Sequence, residues 1–413
     1  LVIDIYKLDF NNLPQEKQKE WKKQFEKEKY KGLKYLENLI FGSQNMKAPF
    51  GLTIAIDNSQ VDSWPLRWSE RPSKKEFEVV SYPLYGIQDR NNKCEYLKPG
   101  ARFSLEFFCK DEKIWEVILT LLKVVSTFSG FGAKTRKGLG EFEIVSPKSE
   151  RDHASYKKFV QESADVVKGF VEKHNASAGT RFPKFLVEPT KFEGDIPEFP
   201  NFAASTLFKL GKLKANSFEK VMRELYYLRG NKETKEVIGR GWYLQLKREL
   251  RTYKGDNVYE LIDAMLGRRK ELTLYPSIMG LPIQYQNLRV PRNKSASYEL
   301  KNAVNKVKTI VSPSLKGLIE EDSDRKASPL FISIHKENNN AWCPMVLIME
   351  SLITYEKRKK NGQLEPYLRK EHSTKKGDEW CLDKINENFQ IKGFEDFEVL
   401  KKLIKDSGGI EDE

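Results

Sequence analysis

The stretch Gly130-Phe131-Gly132-Ala133-Lys134-Thr135-Arg136-Lys137-Gly138-Leu139-Gly140 constrains this chain most, with four glycines and three cations in eleven residues. Glycine takes positive φ without a steric penalty and lets a backbone come close to a ligand, so neither a helix nor a strand interior runs through it. Exposed N–H groups at such a turn form an anion cradle, and Lys134, Arg136 and Lys137 add charge beside Thr135. The order is not GxxxxGK[ST] and no strand leads into a helix here, which argues against a Walker nucleotide site. A phosphate backbone suits the segment. A glycine-rich connection with solvated lysines is the plainer alternative.

The flanks set the loop in a fold. Ala101, Phe103, Leu105, Phe107 and Cys109 alternate with polar neighbours, as do Leu52, Ile54 and Ile56, and both runs predict strands with one buried face. Asp111 is the expected N-cap of a helix that places Ile114, Ile118, Leu122 and Val125 on one side. A short strand is expected at Glu141–Val145. Strand, helix, glycine loop and strand make the closing half of a ferredoxin-like βαββαβ unit. Before it, residues 11–39 read as an interrupted amphipathic helix. After it come a helical stretch and then a connection spaced by Pro183, Pro189, Pro197 and Pro200, where the domain boundary is placed. Residues 1–185, glycine loop included, form one expected domain and 186–413 the other. The second holds helical patterns at 218–228, 242–250 and 258–266 with basic outer faces. It also holds a hairpin, Leu330–Ile334 and Cys343–Ile348 around a turn at 338–340.

Composition narrows the partner. The 413 residues carry 72 Lys and Arg against 59 Asp and Glu, a formal charge of +13 that favours a polyanion over a basic partner. Their 39% hydrophobic content is enough for two or three cores, which excludes global disorder. Cys94, Cys109, Cys343 and Cys381 stand apart without a CxxC pair, against a zinc ribbon or disulfide scaffold, so a reducing cytoplasm is expected. Apolar runs such as Ile114–Val125 and Val346–Ile353 are too short or interrupted to span a bilayer and no signal peptide precedes them, so no membrane partner is expected. The start at Leu1 rather than Met is compatible with a native N-terminal piece preceding it.

The helix followed by GFGAKTRKGLGEFEI resembles the C-terminal glycine-rich loop of the RAMP superfamily, repeat-associated subunits of CRISPR effector complexes. Leu39-Ile40-Phe41-Gly42-Ser43, Tyr82-Pro83-Leu84-Tyr85-Gly86-Ile87, Leu97-Lys98-Pro99-Gly100, Gly280-Leu281-Pro282-Ile283 and Arg325-Lys326-Ala327-Ser328-Pro329-Leu330 extend the likeness. In that order they resemble the largest RAMP subunit, subunit one, of the type III-B Cmr complex, over roughly residues 39–352. The resemblance implies an α+β fold of two ferredoxin-like (RRM-like) domains with helical insertions. It also implies a non-catalytic place near the crRNA 3′ end, contacting guide and target RNA beside other Cmr subunits in antiviral defence. The opening strand and Arg/Trp helix usual in that family are not recognisable before Phe41.

Further RNA-binding candidates follow. Arg325 and Lys326 bring two cations before a strand, and Ser328 offers a hydroxyl to a phosphate. Gly280-Leu281-Pro282 gains interest from Arg289 and Arg292 downstream. Ser43 and Lys47 lie in a loop whose plainer reading is a helix end with Gly42 at C′. Trp64, Arg67 and Trp68 form an aromatic-basic cluster suited to stacking.

Catalysis finds less support. His153, His174, His335 and His372 are scattered, with His335 on the polar face of an expected strand, and each reads as a surface residue. Glu320, Glu321, Asp322 and Asp324 read as a solvated turn rather than a metal site, and no cofactor is expected. A metal-independent endoribonuclease of the RAMP type that processes crRNA, with a histidine base, is the alternative function. A protein-protein adaptor is a third.

Overall fold

The computed structural model describes residues 31–64, 94–98, 100–146, 156–178, 202, 206–230, 237–254, 260, 269–273, 275–279, 283–286, 307–313, 328–337, 340–351, 357–360, 363–366, 368–376, 379–383, 390–392 and 396–411. The chain is α+β and divides into two units. The division falls between Thr190 and Lys191, and it gives Gly132–Glu141, expected within residues 1–185, to the second unit.

In the first unit, helix α1 (Lys31–Phe41) buries Leu36 and Ile40, one turn apart. Gly42 ends it. Its φ of +77° belongs to a left-handed C′ residue, its N–H donates to the Asn38 carbonyl at 2.8 Å, and a Cβ there would meet the Ala48 nitrogen at 2.6 Å. Strands β1 (Phe50–Ile56), β2 (Val61–Trp64), β3 (Cys94–Leu97) and β4 (Phe103–Cys109) follow, with β1 antiparallel to β4 and β2 to β3. Then come α2 (Glu112–Phe128) and α3 (Tyr156–Ala178). Asp111 caps α2 as expected, accepting from the N–H groups of Lys113 at 2.9 Å and Ile114 at 3.3 Å. Ile114, Val117 and Ile118 of α2 pack with Phe170 and Val171 of α3.

Two expectations for this unit fail. β1 has no buried face, since Leu52, Ile54 and Ile56 are exposed. The physical reason is that α2 packs on β4, where Trp115 meets Phe107, and only Phe50 at the end of β1 joins that core. Residues 141–145 form no strand. Phe142 is held by its ring, stacked on Phe131 at 4.4 Å, and by its carbonyl, which accepts from Ser126 Oγ at 2.8 Å in place of a ladder bond.

The second unit opens with β5 (Thr206–Lys209), α4 (Phe218–Tyr226), β6 (Leu228–Gly230), β7 (Val237–Arg240) and α5 (Trp242–Thr252). β8 (Glu271–Thr273), β9 (Ile283–Gln286), β10 (Val307–Pro313), β11 (Leu330–Lys336) and β12 (Trp342–Ile348) come next. The last are β13 (Lys357–Lys360), β14 (Gln363–Pro366), β15 (Leu368–Lys376), β16 (Glu379–Asp383), β17 (Gln390–Lys392), α6 (Phe397–Asp406) and β18 (Ile410–Glu411). The expected hairpin is β11–β12. It lies in an antiparallel sheet ordered β11-β12-β5-β18, with α4 and α5 between β5 and β11 in the chain and α6 between β12 and β18. That is the βαββαβ order in this unit. Val221, Met222 and Leu225 of α4, Leu246 and Leu250 of α5 and Leu400 and Ile404 of α6 cover Phe208, Ile332, Val346 and Ile348 of the sheet. Each such buried side chain contributes about 1.5–3 kcal/mol relative to exposure. A second sheet runs β16-β15-β10-β9.

Most of the expected helices at 11–39 and 258–266, the proline-spaced connection, and Arg67 and Trp68 lie outside the described residues. Among the described residues no helix is long and apolar enough to cross a membrane.

Candidate nucleic-acid interface

The glycine loop lies along the outer edge of β11. The Ile332 N–H donates to the Arg136 carbonyl at 3.2 Å, and Lys137 pairs with Ile332 in a parallel bridge. Further along, the Ile334 N–H donates to Glu141 Oε1. The loop thereby takes up backbone groups that an edge strand otherwise leaves open. Its path needs positive φ at Gly132, Lys134, Gly138 and Gly140, and the turn from Lys134 closes where the Lys137 N–H meets the Lys134 carbonyl at 2.9 Å.

Arg136 and Lys137 are engaged inside this unit. Arg136 Nη1 donates to the Ser328 carbonyl at 2.7 Å, and the guanidinium lies 4.5 Å from the centre of the Phe331 ring. Burial lowers its pKa from the ordinary arginine value. Lys137 Nζ donates to the Tyr243 hydroxyl at 2.8 Å, and Tyr226 donates its hydroxyl proton to the Lys137 carbonyl at 3.1 Å. Gly138 is buried, where a Cβ would meet Ile334 Cδ1 at 3.0 Å. Gly132 and Ala133 are exposed, whereas Lys134 and Thr135 are half-buried. The two tyrosines escaped sequence reading. Their only signal is a phenol among the apolar positions of α4 and α5, which needs a partner when buried.

Ser328 lies beside this loop. Its hydroxyl donates to the Ile278 carbonyl at 3.0 Å and accepts from the Leu330 N–H at 3.1 Å, so its single proton is given within the protein. Arg325, Lys326, Arg289 and Arg292 fall outside the described residues. In the first unit, Ser43 and Lys47 are exposed at a tight turn in which Ser43 and Met46 exchange backbone hydrogen bonds of 2.7 and 3.3 Å.

His335 is not the surface residue its strand position suggested. It is 2% exposed, with Nε2 at 2.8 Å from Ser333 Oγ. Both faces of β11 are covered, Ile332 and Ile334 on one and Ser333 and His335 on the other, so alternation did not mark a wet side. Among the described residues no three His, Cys, Asp or Glu side chains gather as a metal site.

The family model described as the RAMP superfamily matches residues 10–143, a span that includes α2 and the glycine loop. The resemblance carried by that loop is thus shown over the N-terminal third of the chain. No curated protein matches the sequence. Among solved structures, the apo crystal structure of Cmr1 from Pyrococcus furiosus aligns at 14% identity and a TM-score of 0.39, covering 82% of this chain and 83% of that one. A cryo-EM structure of the type III-B Cmr-beta complex, bound to cognate target RNA and AMPPnP with single-stranded DNA present, aligns at 13% identity and a TM-score of 0.36. That alignment covers 92% of this chain and 86% of the other.

Proposed function

We propose that this chain is a non-catalytic RNA-binding subunit of a type III-B CRISPR (Cmr) effector complex, built from two ferredoxin-like domains and working in the cytoplasm. It contacts the crRNA 3′ region and the guide-target RNA, and docks other Cmr subunits of the RAMP type. The observation that carries the reading is the RAMP match ending on the glycine loop, supported by the ordered motifs from Leu39 to Leu330 and by the net charge of +13. Docking on β11 through Arg136, Lys137 and Glu141 holds that part of the loop in place before any RNA arrives, which lowers the entropy cost of binding there. The protein leaves RNA uncut in this reading, and the burial of His335 keeps that imidazole from a substrate.

The test is purification of the tagged protein from its native host, followed by sequencing of the bound small RNAs and mass spectrometry of co-purifying proteins. Repeat-derived guides and further RAMP subunits are expected. Recovery without either overturns the proposal.

A further inference from the structure

Arg240, Arg248 and Arg251 come together on the second unit. Arg240 ends β7, separated from α5 by the N-cap Gly241, and Arg248 and Arg251 lie three residues apart on α5, which puts their Cβ atoms about 5–6 Å apart. Arg248 and Arg251 are exposed, and Arg240 is half-buried. Among the described residues none of the three forms an ion pair. Glu249, the carboxylate of this helix, accepts from Gln245 Nε2 at 2.9 Å. The Arg240 pKa is lowered first by burial and then by the charges of Arg248 and Arg251, so both neighbours act on the Arg240 guanidinium. A cation in the last turn of a helix is favoured by the helix dipole, which accounts for Arg251 but leaves Arg240 and Arg248 without a structural reason. The same helix carries Tyr243, the partner of Lys137 in the glycine loop.

We propose that Arg240, Arg248 and Arg251 form a phosphate-binding surface for single-stranded RNA. The inference rests on the RNA-binding reading above and adds to it a surface outside the loop. Guanidinium groups grip phosphate oxygens with two parallel N–H donors, and an anion placed among these three relieves the repulsion on Arg240. An extended polyanion meets that requirement at successive phosphates.

The test is filter binding of labelled single-stranded RNA to the full-length protein over a range of salt concentrations. The variants are R240A/R248A/R251A, the matching triple Lys variant, and the exposed pair R248A/R251A. The triple Ala variant is expected to flatten the plot of log K against log salt by about 0.7 for each phosphate it no longer grips, and the pair by about two such steps. The triple Lys variant is expected to keep the slope while binding more weakly. Because Arg240 is half-buried, the exposed pair decides the matter should the triple variant unfold. Wild-type binding with an unchanged slope in the folded pair overturns this inference alone. So does an unchanged slope with loss of a co-purifying protein, which marks the surface as a protein-docking face. Failure of the wild-type protein to bind RNA overturns the underlying reading as well.

Discussion

Arg136 Nη1 and the Ser328 carbonyl, 2.7 Å apart, join two motifs separated by 192 residues in the chain. Ser328 passes the connection on, because its hydroxyl donates to Ile278. The glycine loop, the start of β11 and the turn around Ile278 therefore form one hydrogen-bonded assembly. Any RNA surface here is built on residues that also hold the unit together.

Arg136→Ala should therefore destabilise the protein. It removes a charge-assisted hydrogen bond and a cation-π interaction from a half-buried site, a loss of about 1.5–3 kcal/mol. Arg136→Lys should recover only part of this, since an ammonium lacks the planar fork that reaches Ser328 while lying over Phe331. Urea unfolding checks both, with the midpoints ordered wild type, Lys, Ala.

Gly138→Ala and Gly132→Ala separate backbone strain from crowding. Both positions have positive φ, +74° and +90°, which costs an L-residue about 1–2 kcal/mol. At Gly138 the new methyl also meets Ile334, whereas nothing lies within 4 Å at Gly132. A larger fall in melting temperature is expected for Gly138→Ala, and equal falls would contradict the packing.

Local signals in the sequence were legible where a single element decides them. The Asp111 cap, the face of α2, the β11–β12 hairpin and the C′ role of Gly42 each depend on neighbours a few residues away. What stayed hidden depends on distant partners. The loop cations read as open to a phosphate or to solvent because Tyr243 and Ser328 lie about a hundred or more residues downstream. β1 and His335 misled for opposite reasons, one alternating strand lacking a cover and the other covered on both faces. Alternation reports a difference between two faces and not which environment lies beyond them.

Lys47 tests the first unit. It is exposed in a turn held by backbone bonds, so Lys47→Ala should leave the unfolding midpoint unchanged. If Lys47 meets a phosphate, the variant should flatten the salt dependence of single-stranded RNA binding by about 0.7 log unit per decade. An unchanged slope removes Lys47 from the RNA path.

Glu337 should give the protein an acid-sensitive contact. The hydrogen bond from Lys214, aided by Lys209 at 3.5 Å, holds its carboxyl below the ordinary value of 4.5. With the folded pKa depressed, the unfolded chain takes up the proton first, so the stabilisation is full above 4.5 and is lost as pH falls through the folded value. Unfolding midpoints of wild type and Glu337→Gln should therefore differ most near neutral pH and converge below pH 4.5. Constant separation down to pH 3 would show that the ion pair is not the source.

Catalysis gives the last expectation. The purified protein should leave labelled single-stranded RNA, repeat RNA and guide-target duplex intact, with or without divalent ions. His335 bears on this directly, because a general base must reach within about 2.6–3.2 Å of the proton it removes. At 2% exposure and in contact with Ser333, it meets no solvent-borne substrate. His335→Ala should accordingly lower stability, by opening a cavity in a strand buried on both faces, and change no cleavage rate. His153, His174 and His372 are tested by the same substitution. Cleavage that survives all four changes is contamination. Cleavage abolished by one of them in a folded protein, and restored by the wild-type residue, would make the chain an endoribonuclease rather than a binding subunit.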